Sequence, residues 1–234
     1  MNFLEYKMKL SKDTLGVLKN FASINDGIMF RKGSVLRTCD AQKQVLAETT
    51  ISETIDEDFG IYDLNKFLAV LSLHQDTSQV EIDTATKSAI IKDSSGRSKI
   101  TYRICDATMI KNASDKSIKM PDPEVTFIMK QEDLEFSIRA SSTLGTPHIA
   151  ITSDGNKVFV SGLDDKNTAT HSNELAVCDG NGKKYKMIFK TENMKMIPGE
   201  YQVSISFKGI AHFQNTTKPL QYWIATELGS TGEI

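Results

Sequence analysis

Apolar and polar positions recur along this chain with two periods, and the switches between them mark out its elements. "EYKMKL" alternates as a strand does. From Lys12 the period lengthens. At about 100° per residue, Leu15, Val17, Leu18, Phe21 and Ala22 fall on one side, and Lys12, Gly16, Lys19, Asn20 and Ser23 on the other. Ser11 suits the N-cap of this helix, and Asp13 places an acid in the first turn, where the helix dipole favours it. Asn25-Asp26-Gly27 stops it. "GIMFR", "VLRTC", "QVLAETTIS" and "FGIY" read as strands, and Asp63 caps a second helix with Leu64, Phe67, Leu68 and Leu71 on one face. "QVEID", "SAIIKD" and "KITYRIC" are further strands, the last two joined as a hairpin through "SSGR".

From Asp106 to Glu124 the periodicity lapses into mixed charge and two prolines, which reads as an interdomain linker. Beyond it the order repeats. "VTFIMK" is a strand and "QEDLEFSIRASSTL" a helix. "HIAITSDGNKVFVSG" is a hairpin turning on Asp-Gly-Asn, and "ELAVCDGNGKKYKMIF" reads as another, turning at Asn181-Gly182. "TENMKM" is a single helical turn ended by Pro198, and "EYQVSISFKG", "IAHFQN" and "LQYWIATEL" are strands. The expected fold is α+β, a tandem duplication with two helices on one face of a mostly antiparallel sheet in each half. The expected domains are residues 1–105 and 125–234, with 106–124 between them.

Composition changes this picture little. The 234 residues suffice for one large or two small cores, and the formal net charge is −2. No apolar run approaches the roughly 20 residues of a membrane helix, and the first residues lack a signal-peptide layout. Cys39, Cys105 and Cys178 form an odd, scattered set, which argues against a disulfide framework and fits a reducing compartment. Catalytic signatures are missing: no phosphate loop, no Gly-x-Ser-x-Gly elbow, no Cys-x-x-Cys or His-Glu-x-x-His. His74, His148, His171 and His212 show no ligand spacing, so neither a metal nor another cofactor is expected.

Three blocks, "KLSKDTLGVLKNFASINDGIM", "IYDLNKFLAVLSL" and "ENMKMIPGEY", occur in the order found in the sliding clamps of T-even-type tailed phages, and the chain resembles that family from about Met8 to Glu227. The resemblance implies a non-enzymatic processivity factor. It would be a homotrimeric ring with helices lining a hole for double-stranded DNA. A separate clamp-loader ATPase would open and close it, and the replicative DNA polymerase, together with a sigma-like late transcription factor, would be tethered to it in the cytoplasm of a bacterial host. A non-enzymatic, oligomeric phage scaffold is the alternative.

On that reading the cations opposite each helix's apolar face become candidates for the DNA-facing wall. These are Lys12 and Lys19 on the first helix, Lys66 on the second, Arg139 on the third, and Lys195 with Lys190 on the short fourth. Two departures weaken the second half. Ser142 stands where the family has a second arginine, and Glu135 sits one turn before Arg139, in reach of an i,i+4 pair. Phe136 falls off the apolar face of its helix. The family's hydrophobic pocket for partner tails would here take its wall from Cys39, Val45, Met109, Ile110, Trp223 and Ala225.

Overall fold

The computed structural model describes residues 6–74, 79–95, 97–111 and 118–232. The chain divides into two compact units, Met1–Ser117 and Ile118–Ile234.

In unit 1 the described strands are β1 (Tyr6–Met8), β2 (Ile28–Phe30), β3 (Gly33–Cys39), β4 (Val45–Ile55), β5 (Phe59–Ile61), β6 (Gln79–Asp83), β7 (Ser88–Lys92) and β8 (Lys99–Arg103). Helix α1 covers Lys12–Phe21 and α2 covers Leu64–Ser72. Strand order is β1-β6-β7-β8 in one layer and β5-β2-β3-β4 in another, all antiparallel. The apolar faces expected of both helices go inward: Leu18, Phe21, Leu64 and Phe67 are fully buried. Phe30 stacks on Phe59 in the same core, with ring centroids 4.6 Å apart.

The start of the aperiodic stretch belongs to unit 1. Cys105 and Gly60 exchange two backbone hydrogen bonds of 2.9 Å each. A Cβ on Gly60 would lie 2.8 Å from the Cys105 carbonyl oxygen, so only glycine permits that bridge. A 3-10 turn follows at Ala107–Met109, and Ile110 is buried. β7 and β8 pair as expected, while Gly96 of their turn lies outside the described residues.

Unit 2 contains β9 (Val125–Met129), helix α3 (Gln131–Leu144), β10 (His148–Asp154), β11 (Lys157–Leu163), β12 (Asn173–Asp179), β13 (Lys184–Lys190), β14 (Tyr201–Ser206), β15 (Ile210–Asn215), β16 (Leu220–Ala225) and β17 (Thr231–Gly232). Its layers run β12-β11-β10-β13-β17 and β16-β15-β14-β9. So each unit builds its core from antiparallel strands in two layers plus helix, the α+β, mostly antiparallel arrangement expected.

"TENMKM" makes the single helical turn expected, as a 3-10 turn at Thr191–Asn193, and α3 is the one α-helix among the unit's described residues. One expectation is overturned in unit 2: "ELAVCDGNGKKYKMIF" is no hairpin. β12 pairs with β11 and β13 pairs with β10, so the two flank the β10–β11 hairpin on opposite sides. Crossing three inter-strand spacings takes about 14 Å, within the roughly 17 Å reach of a short extended link. The link passes over the β10–β11 turn, with Gly180 N–H donating to Asn156 O at 2.6 Å and Gly182 N–H to Gly155 O at 2.9 Å. A Cβ on Gly180 would lie 2.5 Å from Gly155 O. The glycines that read as a turn signal are there to let two turns touch.

Candidate nucleic-acid interface

The cationic surface begins with the capping of α1. Ser11 is the N-cap, and its Oγ accepts from Thr14 N–H at 3.2 Å. Glu53 of β4 then holds that cap from the side. One carboxylate oxygen accepts from the Ser11 N–H, and the other accepts from Thr14 Oγ1 at 2.6 Å. Burial pushes the Glu53 carboxyl up, but these bonds from Thr14 and Ser11 together outweigh it and leave the group below its ordinary value. Thr14, a polar residue the helical pattern did not single out, can be buried because its hydroxyl donates to Glu53.

With Leu18 and Phe21 fixed in the core, Lys12, Gly16 and Lys19 face outward and are exposed. The space around Gly16 is open; an added Cβ would meet nothing within 4 Å. Helix α2 is capped by Asp63, which accepts from Lys66 N–H at 2.8 Å, while the Asp63 carbonyl accepts from Tyr102 OH at 2.8 Å. Phe67 meets the Tyr102 ring edge-on at 5.3 Å. That double anchor turns Lys66 outward, and it is exposed. α1 packs against α2, so Lys12, Lys19 and Lys66 belong to one helical layer of unit 1.

Unit 2 is different. Lys130 provides no side-chain cap for α3, and Glu132 and Asp133 fill its first turn instead. Its inward face is Leu134, Ser137 and Ser141, the last two being buried serines that an apolar pattern passes over. Ser137 Oγ donates to Asp133 O at 2.8 Å. Ser141 Oγ bonds Thr146 Oγ1, and Thr191 Oγ1 donates to Thr146 O at 2.9 Å. Small side chains let α3 come close to β11: a Cβ on Gly162 would be 3.2 Å from Ser141 Cα.

Arg139 is exposed as expected. Glu135 makes no ion pair with it among the described residues, and accepts instead from Gln131 Nε2 at 2.8 Å. Ser142 turns its hydroxyl back to Ile138 O at 2.9 Å. Lys190 and Lys195 do not share a helix. Lys190 is the last residue of β13, and Lys195 is an exposed residue beyond the 3-10 turn. The reason is Thr191 N–H, which donates to Pro147 O at 2.9 Å and holds the chain to the β10 side.

The residues expected to wall a partner pocket fall into two sets. In unit 1, Cys39 and Val45 flank the β3–β4 turn and are buried. Burial, then Asp40, push the Cys39 thiol up against the opposing Lys43 charge. Asn25 Nδ2 donates to both Cys39 O and Lys111 O at 2.8 Å, tying this turn to the Met109–Lys111 segment. Ile110 is buried and Met109 is 55 % exposed. Met109 and Ile110 line a hollow of about 240 Å³ with Asn25, Gly27, Tyr62 and Lys111, in which Cys39 and Val45 take no part. In unit 2, Trp223 and Ala225 lie on β16. Trp223 is buried against His212, rings stacked 4.8 Å apart, and its indole N–H has no hydrogen-bond partner among the described residues.

The three cysteines are free thiols, and no described helix is long and apolar enough to cross a membrane. Among the described residues no group of three or more His, Cys, Asp or Glu is placed to hold a metal.

Comparison with known proteins agrees with this geometry on both sides of the division. Residues 11–111 match the family described as DNA polymerase processivity factor, and residues 126–228 match the family described as gp45 sliding clamp, C terminal. The chain is 35 % identical over 234 residues to the sliding clamp of Escherichia phage RB69, covering 97 % of this chain and 100 % of the relative. It is 32 % identical over 226 residues to the sliding clamp of Vibrio phage KVP40, covering 94 % and 99 %. Among solved structures, proliferating cellular nuclear antigen from Entamoeba histolytica has the same fold at 16 % identity, with a TM-score of 0.70 over 95 % of this chain and 98 % of that one. The chain therefore belongs to the phage sliding-clamp family of DNA polymerase processivity factors, proteins that act as clamps and not as enzymes.

Proposed function

We propose that three copies close into a ring around duplex DNA, with Lys12, Lys19 and Lys66 on the wall of the hole. The observation that carries this is the outward lysine layer of α1 and α2, in a chain whose two halves each match a clamp family. DNA presents about one charge per 1.7 Å of axis. A ring that slides must meet those phosphates without reading bases. Lysine suits that task, since each ammonium is a point charge on a mobile stem. Retention then comes from topology, and the −2 net charge of the chain is no obstacle because only the lining needs to be positive. β8 and β12 each end a sheet, and strands with an open edge of this kind serve to join copies.

In the same reading Arg139, Lys190 and Lys195 supply a weaker cationic contribution from unit 2. The apolar positions Met109 and Ile110 in unit 1, near the buried Cys39 and Val45, serve as partner contacts, and so do Trp223 and Ala225 in unit 2. The partners are the replicative polymerase, a clamp-loader ATPase and a sigma-like late transcription factor, met in the cytoplasm of a bacterial host. Retention on DNA tests the core of the proposal. Clamp loaded on closed circular DNA should stay bound through a high-salt wash and leave when the circle is cut. Equal loss from cut and uncut circles would overturn it. A scaffold protein would tolerate Lys12→Glu, Lys19→Glu and Lys66→Glu together without loss of replication.

A further inference from the structure

The helix layer of unit 1 contains a groove that phosphate contact does not explain. It has a volume of about 380 Å³ and runs between the end of β1, one side of α1 and the last turn of α2. Leu10, Leu15, Leu68, Leu71 and Val80 form its floor, while Lys9, Lys12 and Lys19 stand along it. Leu73, next to the groove-lining Ser72, is 69 % exposed. A nucleic-acid backbone offers nothing to a leucine floor. The floor calls for an apolar group, and Lys9 and Lys19 at its edge for acids beside it.

Helix α3 carries both in one place. Phe136 is 43 % exposed and makes no ring contact among the described residues. Glu132 and Asp133 lie one turn before it on the same face and Arg139 one turn after it, which leaves that face acidic by one charge. The acids of α3 outnumber its single cation, Arg139. In a DNA-lining helix that composition is adverse; against a lysine-edged groove it is complementary.

We propose that Phe136 of one copy enters the α1–α2 groove of the next, with Glu132 and Asp133 against the groove's lysines. The inference rests on the ring reading and deepens it by naming part of the seam. A groove on one surface and its complement on another make a head-to-tail contact, the kind that generates rings when the rotation closes. A single aromatic anchor in an apolar pocket carries a large share of such an interface. Lys12 and Lys19 then stand where seam and DNA wall meet, and Lys9 serves the seam alone.

Sedimentation equilibrium at low micromolar concentration tests this on the full chain. Phe136→Ala should weaken assembly at least about tenfold. Lys9→Glu and Glu132→Lys should each weaken it less, and the two together should recover part of the loss. Proximity gives a second measurement with Phe136 intact. With the partly exposed Cys105 and Cys178 first replaced by serine, the Lys9→Cys, Glu132→Cys chain treated with a short bismaleimide should yield covalent dimers and trimers that neither single variant gives. A wild-type ring whose Phe136→Ala form assembles within twofold of it, or whose cysteine pair never joins copies, overturns this seam and leaves the ring standing. A wild-type chain that stays monomeric at every concentration overturns the ring itself.

Discussion

Replacing Glu53 isolates what holds α1, the helix that carries Lys12 and Lys19, in place. Its carboxylate accepts from two donors at the head of α1, the Ser11 N–H and the buried Thr14 hydroxyl, and it also accepts from Ser52 Oγ at 3.0 Å. Glu53→Ala takes that acceptor from both helix donors, one of them on a side chain only 2 % exposed. A buried donor left unpaired costs about 1–3 kcal/mol. Since the Ser11 N–H can turn partly to water, the total should be about 2 kcal/mol. In a chain of this size that lowers Tm by roughly 4–8 °C, measured at one protein concentration because assembly adds to apparent stability. Glu53→Gln keeps one good acceptor and should cost about half as much. The pH dependence has a defined sign. The folded pKa lies below the ordinary 4.5, so the carboxylate's contribution is complete above 4.5 and disappears as pH falls through the lower folded value. Differential scanning calorimetry of wild type and Glu53→Gln from pH 7 to pH 3 should show a gap that is level down to about 4.5 and narrows below it. A gap that stays constant to pH 3, or an alanine variant within 1 °C of wild type, would refute this account of the helix cap.

Further substitutions probe separate parts of the molecule. Lys66→Glu should reduce the slope of log affinity against log salt by roughly 0.9 for each phosphate that a copy no longer neutralises, whereas Arg139→Glu should change it less; salt titrations of clamp-stimulated polymerase processivity read both, and equal effects would show that the two units contribute alike. Gly16→Ala should raise stability by about 0.5–1 kcal/mol, since its added Cβ meets open space, and a fall in Tm would mean the position is constrained in a way the helix does not show. Gly180→Ala should destabilise unit 2 by about 2 kcal/mol or more, because its Cβ would collide with the Gly155 carbonyl; urea unfolding followed by the fluorescence of Trp223, the single tryptophan, reports it, and an unchanged midpoint would refute the crossing of the two turns.

How much of this was legible in the sequence depended on whether local periodicity or a distant contact decided each element. α1 and α2 were readable because their caps, Ser11 and Asp63, and their apolar faces lie within a few residues of each other. The inward face of α3 was only half readable. Leu134 shows in the pattern, but Ser137 and Ser141 are buried by a close approach to Gly162 and by a hydroxyl network with Thr146 and Thr191. The partner of β13 was illegible in kind. Asp-Gly-Asn-Gly is a fair hairpin signal, and nothing local says that β10 and β11 will occupy the space between β12 and β13. Among site residues, Lys12, Lys19, Lys66 and Arg139 follow from helical phase and are exposed as phase requires. Glu53 carries no signal of its own in the pattern of β4; only its meeting with Ser11, far away in sequence, gives it a role.

The two units also differ in what they offer a polyanion, and the difference bears on how a clamp works. In unit 1 the helical layer presents Lys12, Lys19 and Lys66 with Asp13 as the one acid on α1. In unit 2, α3 presents Arg139 among Glu132, Asp133 and Glu135. A protein that relied on affinity to stay on DNA would be weakened by such a helix, because every acid near the lining subtracts from the counterions released. A ring held by closure has no such need. Its lining has only to keep the duplex from binding elsewhere, and strong attraction all around would slow its travel. The stronger demand falls on the seams, since a ring that opens loses its DNA whatever its charge. On the proposed seam, acids on α3 set against the lysine-edged groove of the next copy would place charge where retention depends on it.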